Sequence, residues 1–245
     1  MPVATLAGGV AAWESERSAV TLLRFDPSSV GLALHAGLGE PSGSWKYGDR
    51  IEPSEIHRVI AAFNGGFKFG TGGVGYMSEG RTAVPLRSGR GSIVTYRDGS
   101  TQVGAWGAGV PARGKPIAWV LQNLSLLVDH GRAAGSVESC ILACWGATVG
   151  SVSATARSAL GIDGSGRLVW AGGEHLLPGD LARGLIEAGV LRAVELDINP
   201  DWVAGYLYVH HGGAPTPVPV VPGQFGIRGK FLTPYGRDFI TASAR

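Results

Sequence analysis

The hydrophobic positions of this chain fall in short runs separated by turns rich in glycine and proline. Apolar or alternating stretches at 19–25, 30–36, 59–63, 117–121 and 239–242 have the length and composition of β-strands. Strands of this length need partners on both sides to bury their apolar faces. The pattern therefore predicts a strand-rich protein with few helices.

Local turn and capping signals predict two hairpins and one helix. Asp98-Gly99 and Asp163-Gly164-Ser165-Gly166 each separate two apolar runs, as expected of hairpin turns. Pro178-Gly179-Asp180 begins the clearest helix, and Gly189 suits the left-handed position after its end. A buried strand over 191–197 is predicted to follow this helix directly.

Together these elements predict an α+β fold: a mixed, strand-rich sheet with hairpins and two or three packed helices. We find no linker or internal repeat, so we expect one domain over residues 1–245. Residues 212–223 are rich in glycine and proline and are expected to form an extended surface loop. The elements do not alternate as βαβ units, which argues against a doubly wound sheet.

Composition narrows the classes of function. The formal net charge is only +2, which does not favour nucleic acid as a partner. No apolar window of about 18 residues occurs, so no membrane span is predicted. The start, Met1-Pro2-Val3-Ala4, lacks the basic and apolar regions of a signal peptide. The 40 glycines predict many tight turns and close backbone approaches.

The two cysteines, Cys140 and Cys144, leave three interpretations open. Their spacing suits a disulfide poorly on a regular helix but allows one in a loop. Two free thiols are equally consistent with the sequence. A metal site is the weakest interpretation, because no histidine or third cysteine lies nearby.

An acidic cluster at the end of an apolar strand is the strongest candidate for chemistry. Glu195, Asp197, Asn199 and Asp201 are spaced by two, so an extended chain points them to one side. Carboxylates gathered in this way repel one another unless a cation, an arginine or shared protons hold them. No cofactor is required, although a divalent cation such as calcium would suit the cluster. Turn formation at 199–201 is the structural alternative.

Asn64-Gly65-Gly66 follows another apolar strand and is a candidate for substrate binding. The two glycines let the backbone approach a ligand closely and present N–H groups that suit an anion. The Asn64 amide both donates and accepts hydrogen bonds, which suits a sugar hydroxyl. A simple glycine turn is the alternative.

Arg157 begins an apolar strand that ends at Asp163. An arginine in this position needs a partner: Glu195 or Asp197 in a structural ion pair, or a phosphate or carboxylate of a ligand. We expect the ligand role, while Asp163 binds substrate or opens the Asp-Gly turn. We further expect Asn64, Arg157, Glu195 and Asp197 to converge on one concave site.

Four stretches, taken in order, resemble the phosphodiester glycosidase family. They are Ala62-Phe63-Asn64-Gly65-Gly66-Phe67, Leu126-Leu127-Val128-Asp129-His130-Gly131, Ala156-Arg157-Ser158-Ala159-Leu160-Gly161-Ile162-Asp163 and Ala193-Val194-Glu195-Leu196-Asp197. The family typically continues the fourth stretch as Leu-Asp-Gly-Gly-Gly-Ser, whereas here Ile198-Asn199-Pro200 follows Asp197. This motif, Glu-Leu-Asp-Ile-Asn-Pro, looks like a bacterial branch often found in exported or membrane-attached proteins. Asn64, Arg157, Asp163 and Asp197 carry over by position.

The resemblance implies a hydrolase that cleaves a sugar-1-phosphodiester or a related glycosidic bond in a cell-envelope glycan. The expected catalytic residues are Asp197, which supplies a carboxylate, Arg157, which holds phosphate, and Glu195, which is expected as a second carboxylate from the residue pattern alone. The expected substrate-binding residues are Asn64, Gly65, Gly66, Asp163, Asn199 and Asp201, of which Asn199 and Asp201 are expected from the residue pattern alone. The partner would be a carbohydrate or sugar phosphate outside the cytoplasm. The alternatives are a glycan-binding module without turnover and a structural domain stabilised by a cation.

Overall fold

A computed structural model describes residues 2–6, 10–15, 19–71, 74–148, 150–212, 214–224, 229 and 231–245. Within these residues the chain forms nineteen strands: β1 (Pro2–Leu6), β2 (Val10–Glu14), β3 (Thr21–Phe25), β4 (Val30–His35), β5 (Val59–Asn64), β6 (Gly75–Ser78), β7 (Arg81–Val84), β8 (Gly91–Tyr96), β9 (Thr101–Trp106), β10 (Gly109–Val110), β11 (Ile117–Gln122), β12 (Leu126–Asp129), β13 (Arg132–Ala133), β14 (Thr155–Asp163), β15 (Leu168–Leu176), β16 (Val190–Glu195), β17 (Gly205–Val209), β18 (Thr216–Pro219) and β19 (Phe239–Ala244). The same residues form three α-helices and one 3₁₀ turn: α1 (Ser136–Ser139), α2 (Ile141–Trp145), α3 (Pro178–Glu187) and the turn Ile56–Arg58.

The strands build three sheets. The first has eight strands in the order β1-β2-β3-β15-β14-β16-β12-β13, the second six in the order β10-β9-β8-β11-β6-β7, and the third five in the order β18-β17-β5-β19-β4. Neighbouring strands are antiparallel, except that β10 runs parallel to β9. None of the described helices is long and apolar enough to span a membrane.

The three sheets share one buried core. Trp170 of the first sheet, Tyr76 of the second and Phe63 of the third all belong to the same apolar cluster. The ring centroids of Phe63 and Trp170 lie 5.7 Å apart, so the first and third sheets are in direct contact there. Leu181 and Leu185 of α3 cover the opposite face of the first sheet.

The prediction of an α+β fold was wrong, because the protein is predominantly β. Only α3, with ten residues, is a helix of ordinary length; α1 has four residues and α2 has five. Sequence reasoning missed strands such as β7, whose residues are largely exposed and show no apolar alternation. The predicted surface loop over 212–223 likewise contains β18, a proline-bearing edge strand paired with β17; residue 213 lies outside the described part.

The local predictions were confirmed. β8 pairs with β9 across Asp98-Gly99, and β14 pairs with β15 across the turn at 163–166. The Asp180 carboxylate accepts a hydrogen bond of 2.9 Å from the Leu177 N–H at the start of α3. Gly189 has a φ of 83°, the left-handed conformation expected after the helix end. The single-domain interpretation of residues 1–245 stays a prediction.

Candidate functional site

The candidate site lies where strand ends of the first and third sheets meet. In the third sheet, Asn64 at the end of β5 pairs with Phe239 at the start of β19. In the first sheet, Glu195 at the end of β16 pairs with Ala159 in the middle of β14. The Asn64 Nδ2 donates a 2.9 Å hydrogen bond to Ser158 Oγ, which joins the two sheets at this point.

Asp197 follows β16 and is held by its own turn. Its Oδ1 accepts hydrogen bonds from the backbone N–H groups of Ile198, at 2.7 Å, and Asn199, at 3.0 Å. Its Oδ2 lies 3.6 Å from Nη2 of Arg237, and only 6% of the side chain is exposed. Burial raises the pKa of Asp197 to about 6, against the opposing effect of the Asn199 N–H and the Arg237 charge. The carboxyl therefore changes protonation close to neutral pH.

Arg157 and Glu195 form a completely enclosed ion pair. Arg157 Nη1 lies 2.7 Å from Glu195 Oε1, and both side chains are 0% exposed. The guanidinium also donates to the backbone carbonyls of Trp145, Ser153 and Leu176. Burial raises the pKa of Glu195 to about 7, although Arg157 lowers it. Arg157 thus has protein partners on several sides and no contact with the surface, which differs from the expected ligand role.

Gly65 and Gly66 are required by close packing against two side chains. A Cβ on Gly65 would collide with the Asp238 carboxylate, and one on Gly66 would lie 2.7 Å from Asn123 Oδ1. The Gly65 N–H donates to the Asp238 carbonyl at 3.0 Å, and the Gly66 N–H donates to Asp238 Oδ2 at 2.9 Å. Both amides, expected to face an anion, are therefore already used by Asp238.

Asp238 is a buried carboxyl that the sequence analysis did not identify. Its residue exposure is 1%, and its Oδ1 has no hydrogen-bond partner among the described residues. Burial raises the pKa of Asp238 to about 7; the Gly66 N–H and Arg237 lower it, and the Asp197 charge raises it further. Because the charges of Asp197 and Asp238 repel each other, the Arg237 charge, which lowers the pKa of both, helps to keep them in place.

Arg237 connects the separate parts of the site. Its Nη2 donates to the Gly66 carbonyl at 2.9 Å and lies 3.6 Å from Asp197 Oδ2. Its Nε lies 3.5 Å from Glu40 Oε2, and its guanidinium carbon lies 5.6 Å from the centre of the Trp202 ring. One arginine therefore faces two carboxylates, Glu40 and Asp197, from segments that are distant in sequence.

A cleft of about 390 Å³ adjoins these residues. Its lining includes Asp197, Arg237, Lys68, Thr71 and the half-buried Trp202. Asp197 is the only carboxylate among the described residues that line the cleft. The arrangement presents one carboxyl of raised pKa, two cationic side chains and an aromatic ring to a bound molecule.

The predicted site residues do not all line the cleft. Asn64, Arg157 and Glu195 are buried and do not line it, Asp197 and Asn199 line it, and Asp201 lines a neighbouring cavity. Asp163 lies at the opposite end of β14, where its carboxylate accepts hydrogen bonds from the N–H groups of Ser165 and Arg167. β14 extends about 3.3 Å per residue, so this end is remote from the cleft.

Two of the residues that sequence reasoning missed come from the segment before β19. Arg237-Asp238 immediately precedes the apolar run that begins at Phe239, whereas Asp197, which was identified, follows an apolar strand. Glu40 and Asn123 lie in loops with no comparable signal. Asn123 Nδ2 donates to the carbonyls of Glu195, at 2.7 Å, and Leu196, at 3.0 Å, and so ties the cleft floor to β16.

A disulfide joins Cys140 and Cys144, on the segment that supplies part of the cleft lining. Of the three interpretations left open for these cysteines, the disulfide is therefore the one observed. Helix α2, which includes Cys144, supplies Leu142 and Ala143 to the cleft lining. Among the described residues no group of three or more His, Cys, Asp and Glu side chains is arranged to hold a metal ion. Calcium binding at the acidic cluster stays a prediction.

Comparison with known proteins shows a similarity of fold to solved structures at low sequence identity. A scan of protein-family models and a search of curated proteins find no match. Among solved structures, the chain is similar to the catalytic domain of zebrafish N-acetylglucosamine-1-phosphodiester α-N-acetylglucosaminidase, auto-inhibited by its pro-peptide. That similarity has a TM-score of 0.54 and 18% identity, and covers 96% of this chain and 81% of the other. It is a distant relationship of fold.

Two further structures match at lower similarity. A hypothetical protein from Synechocystis gives a TM-score of 0.47 at 13% identity, covering 98% of this chain and 61% of its own. A protein of Burkholderia pseudomallei K96243 described as exported gives a TM-score of 0.40 at 13% identity, covering 97% and 76%. At these scores neither similarity bears on function.

Proposed function

We propose that this protein is a hydrolase that cleaves a sugar-1-phosphodiester, or a related glycosidic bond, in a cell-envelope glycan. The observation that carries the proposal is the pairing of Asp197, a carboxyl whose pKa is raised to about 6, with Arg237 and Lys68 in one cleft. The cations suit a phosphate, and the carboxylate suits the positive charge that develops at the anomeric carbon. The similarity in fold to a catalytic domain for an N-acetylglucosamine-1-phosphodiester supports this choice.

In this proposal Asp197 is the catalytic residue. Phosphate leaves readily from the anomeric carbon, so the reaction depends less on a proton donor than on stabilising the sugar cation or activating water. As a carboxylate, Asp197 either stabilises the sugar cation or activates the water, while Arg237 and Lys68 hold the phosphate. Trp202 offers a flat apolar surface beside them for the sugar ring.

Arg157, Glu195 and Asp238 are positioning residues, because none of them lines the cleft. The Asp197 charge raises the pKa of both Glu195 and Asp238 by repulsion, and Arg157 keeps Glu195 in place. Asn64, Gly65 and Gly66 fix the floor on which Asp238 and Arg237 rest. All of these positioning residues act by fixing where the Asp197 carboxyl lies in the cleft.

The direct test is release of free sugar from N-acetylglucosamine 1-(methyl phosphate). Wild type should release sugar, and Asp197→Asn should lower turnover by about 10²-fold or more while the fold survives, since the amide keeps an acceptor for the two backbone N–H groups. Asp129→Asn is the matched control, because Asp129 is an exposed acid paired with Arg192. Equal turnover in Asp197→Asn and wild type would remove Asp197 from the mechanism.

The pH dependence of kcat/KM distinguishes whether the Asp197 carboxyl acts as a carboxylate or as a proton donor. If Asp197 acts as a carboxylate, kcat/KM should rise as the pH passes through about 6 and then level off. A fall over the same range would instead assign it the role of proton donor.

A glycan-binding module without turnover is the second candidate. Glycosidases commonly use two carboxyl groups beside the scissile bond, and here one carboxyl lines the described part of the cleft. Under this alternative wild type releases no sugar from any phosphodiester tested, yet binds a sugar phosphate in a calorimetric titration. Arg237→Ala should then weaken that binding.

A further inference from the structure

The Cys140–Cys144 disulfide is placed to hold part of the cleft lining. It joins Cys140, between α1 and α2, to Cys144 within α2, and so closes a covalent loop around Ile141, Leu142 and Ala143. Two of these enclosed residues, Leu142 and Ala143, line the cleft. The catalytic functions assigned above give this bond no role.

The bond is better suited to restraining α2 than to stabilising the whole fold. A disulfide stabilises a protein mainly by restricting its unfolded chain, and the effect grows with the length of the loop that is closed. Here the two cysteines are only four positions apart. Helix α2 itself has five residues, too few for a helix to be stable without support. The disulfide therefore acts chiefly on the conformation of α2.

The end of α2 contacts the buried Arg157–Glu195 pair. The Trp145 carbonyl accepts a 3.1 Å hydrogen bond from Arg157 Nη1, the same nitrogen that lies 2.7 Å from Glu195 Oε1. Trp145 directly follows Cys144 and is buried. A displacement of α2 therefore withdraws one of the acceptors that hold Arg157.

The next residue, Gly146, packs against the turn that holds Asp197. A Cβ on Gly146 would lie 2.6 Å from Ile198 Cδ1, which shows how closely the two segments approach. The N–H of the same Ile198 donates a 2.7 Å hydrogen bond to Asp197 Oδ1. Because closely packed segments transmit small displacements, the position of α2 is coupled to that of the Asp197 carboxyl.

The disulfide is within reach of a reductant, and its surroundings keep the segment attached to the protein. Both cysteines are partly exposed. Val137 on α1 and Trp145 on α2 belong to the same apolar cluster as Leu181 of α3. Cleavage of the bond therefore loosens α2 without detaching it.

We propose that the Cys140–Cys144 disulfide is a redox-sensitive restraint that controls the shape of the cleft. In the oxidised protein it holds α2 in place beside the Asp197 turn. In the reduced protein α2 is loosened, and the cleft binds and turns over its ligand less well. The identity of that ligand rests on the proposed function.

The reductant that opens the bond is a dithiol. One of its thiolates attacks a cysteine sulfur and forms a mixed disulfide, and its second thiolate then attacks the reductant sulfur of that mixed disulfide. Two protein thiols and a disulfide on the reductant result, so two electrons and two protons pass to the protein. A disulfide oxidant reverses the exchange.

The first test measures hydrogen exchange, which needs no substrate. Excess dithiothreitol should raise the exchange rates of amides over 141–147 about 10-fold or more in wild type, while those over 181–187 in α3 stay unchanged. The sequence has only two cysteines, so an effect of the reductant on the protein is assigned to this bond. Cys140→Ser/Cys144→Ser should exchange like reduced wild type and should not respond to the reductant.

The second test follows release of sugar from N-acetylglucosamine 1-(methyl phosphate) by the same samples. Reduced wild type and the double variant should both show a kcat/KM about 10-fold or more below that of oxidised wild type, and reoxidation should restore only the wild type. Ser139→Ala, at an exposed neighbour of Cys140, is the matched control and should keep both the activity and the redox response.

Other outcomes overturn the restraint without touching the proposed function. A bond that excess dithiothreitol leaves intact in the folded protein would do so, as would unchanged exchange over 141–147 after complete reduction. Faster exchange throughout α3 as well would make the bond a general stabiliser instead. Faster exchange over 141–147 with an unchanged kcat/KM would overturn control of the cleft.

Hydrolysis by none of the samples would count against the proposed function and leave a separate decision on the disulfide. Calorimetric titration with N-acetylglucosamine 1-phosphate then compares oxidised wild type with the double variant. Weaker binding by the double variant supports the restraint, and equal binding, or binding by neither protein, overturns it.

Discussion

The two ends of β14 carry arginine–carboxylate pairs of the same length and opposite character. At the cleft end, Arg157 and Glu195 lie 2.7 Å apart with both side chains 0% exposed. At the turn end, Arg167 and Asp163 also lie 2.7 Å apart, but the Arg167 side chain is 43% exposed. Distance alone therefore does not describe the energetics of an ion pair; its surroundings do.

The partners of the two acids explain the difference. Asp163 is satisfied within its own turn, by N–H groups two and four residues away. Glu195 depends on Arg157, which is 38 residues away in sequence, and its Oε2 has no hydrogen-bond partner among the described residues. The turn end is stabilised by contacts within a few residues, whereas the buried ion pair at the cleft end depends on contacts between distant parts of the chain.

The largest effect should come from removing each arginine in turn. Arg157→Ala leaves Glu195 buried without its cation and should reduce the free energy of unfolding by about 3–5 kcal/mol. Arg167→Ala should cost under about 1 kcal/mol, because the Arg167 side chain is 43% exposed and Asp163 keeps its two backbone N–H donors. Chemical denaturation of both variants at the same pH measures the two losses. Similar losses would show that burial does not separate the two ends.

The next effect concerns the pH dependence of stability at the cleft end. Glu195, Asp197 and Asp238 have pKa values raised to about 7, 6 and 7, so the native state binds more protons than the unfolded state between about pH 4 and 7. Their stabilising contribution is complete below about pH 4 and is lost as the pH rises to about 7.

Between about pH 4 and 7 the free energy of unfolding of Asp238→Asn should fall by about 2–4 kcal/mol less than that of wild type, because the variant lacks one carboxyl of raised pKa. Urea denaturation at pH 4, 5.5 and 7 follows the difference. Parallel curves for the variant and wild type would mean that Asp238 ionises freely in the folded protein.

The smallest effect compares a glycine from each end. Gly65→Ala forces the Asp238 carboxylate away from the Gly66 N–H and should destabilise the protein by about 1–3 kcal/mol. Gly164→Ala, in the turn, would place its Cβ 3.5 Å from Leu191 Cδ1, an ordinary contact, and should change stability by under about 0.5 kcal/mol. Thermal melts of the two variants provide the comparison. A tolerated Gly65→Ala would argue that Asp238 can move without cost.

Local features were predictable because their causes are local. The hairpin turns at 98–99 and 163–166 depend on residues within a few positions of one another, and so does α3, with Asp180 at its start and Gly189 after its end. Asp197 was identifiable for the same reason: an acid directly after an apolar strand has few explanations other than a defined partner.

The tertiary structure decided the division into three sheets and the make-up of the cleft. Weakly patterned edge strands such as β7 form because a neighbour is available, and this made the fold predominantly β rather than α+β. Arg237 and Asp238 meet Asp197 and Gly66 because β19 pairs with β5 and the third sheet packs on the first. The sequence by itself determined which residues are costly to bury. Only the pairing of distant strands determined which of those residues share one site, because their proximity depends on contacts between segments far apart in the chain.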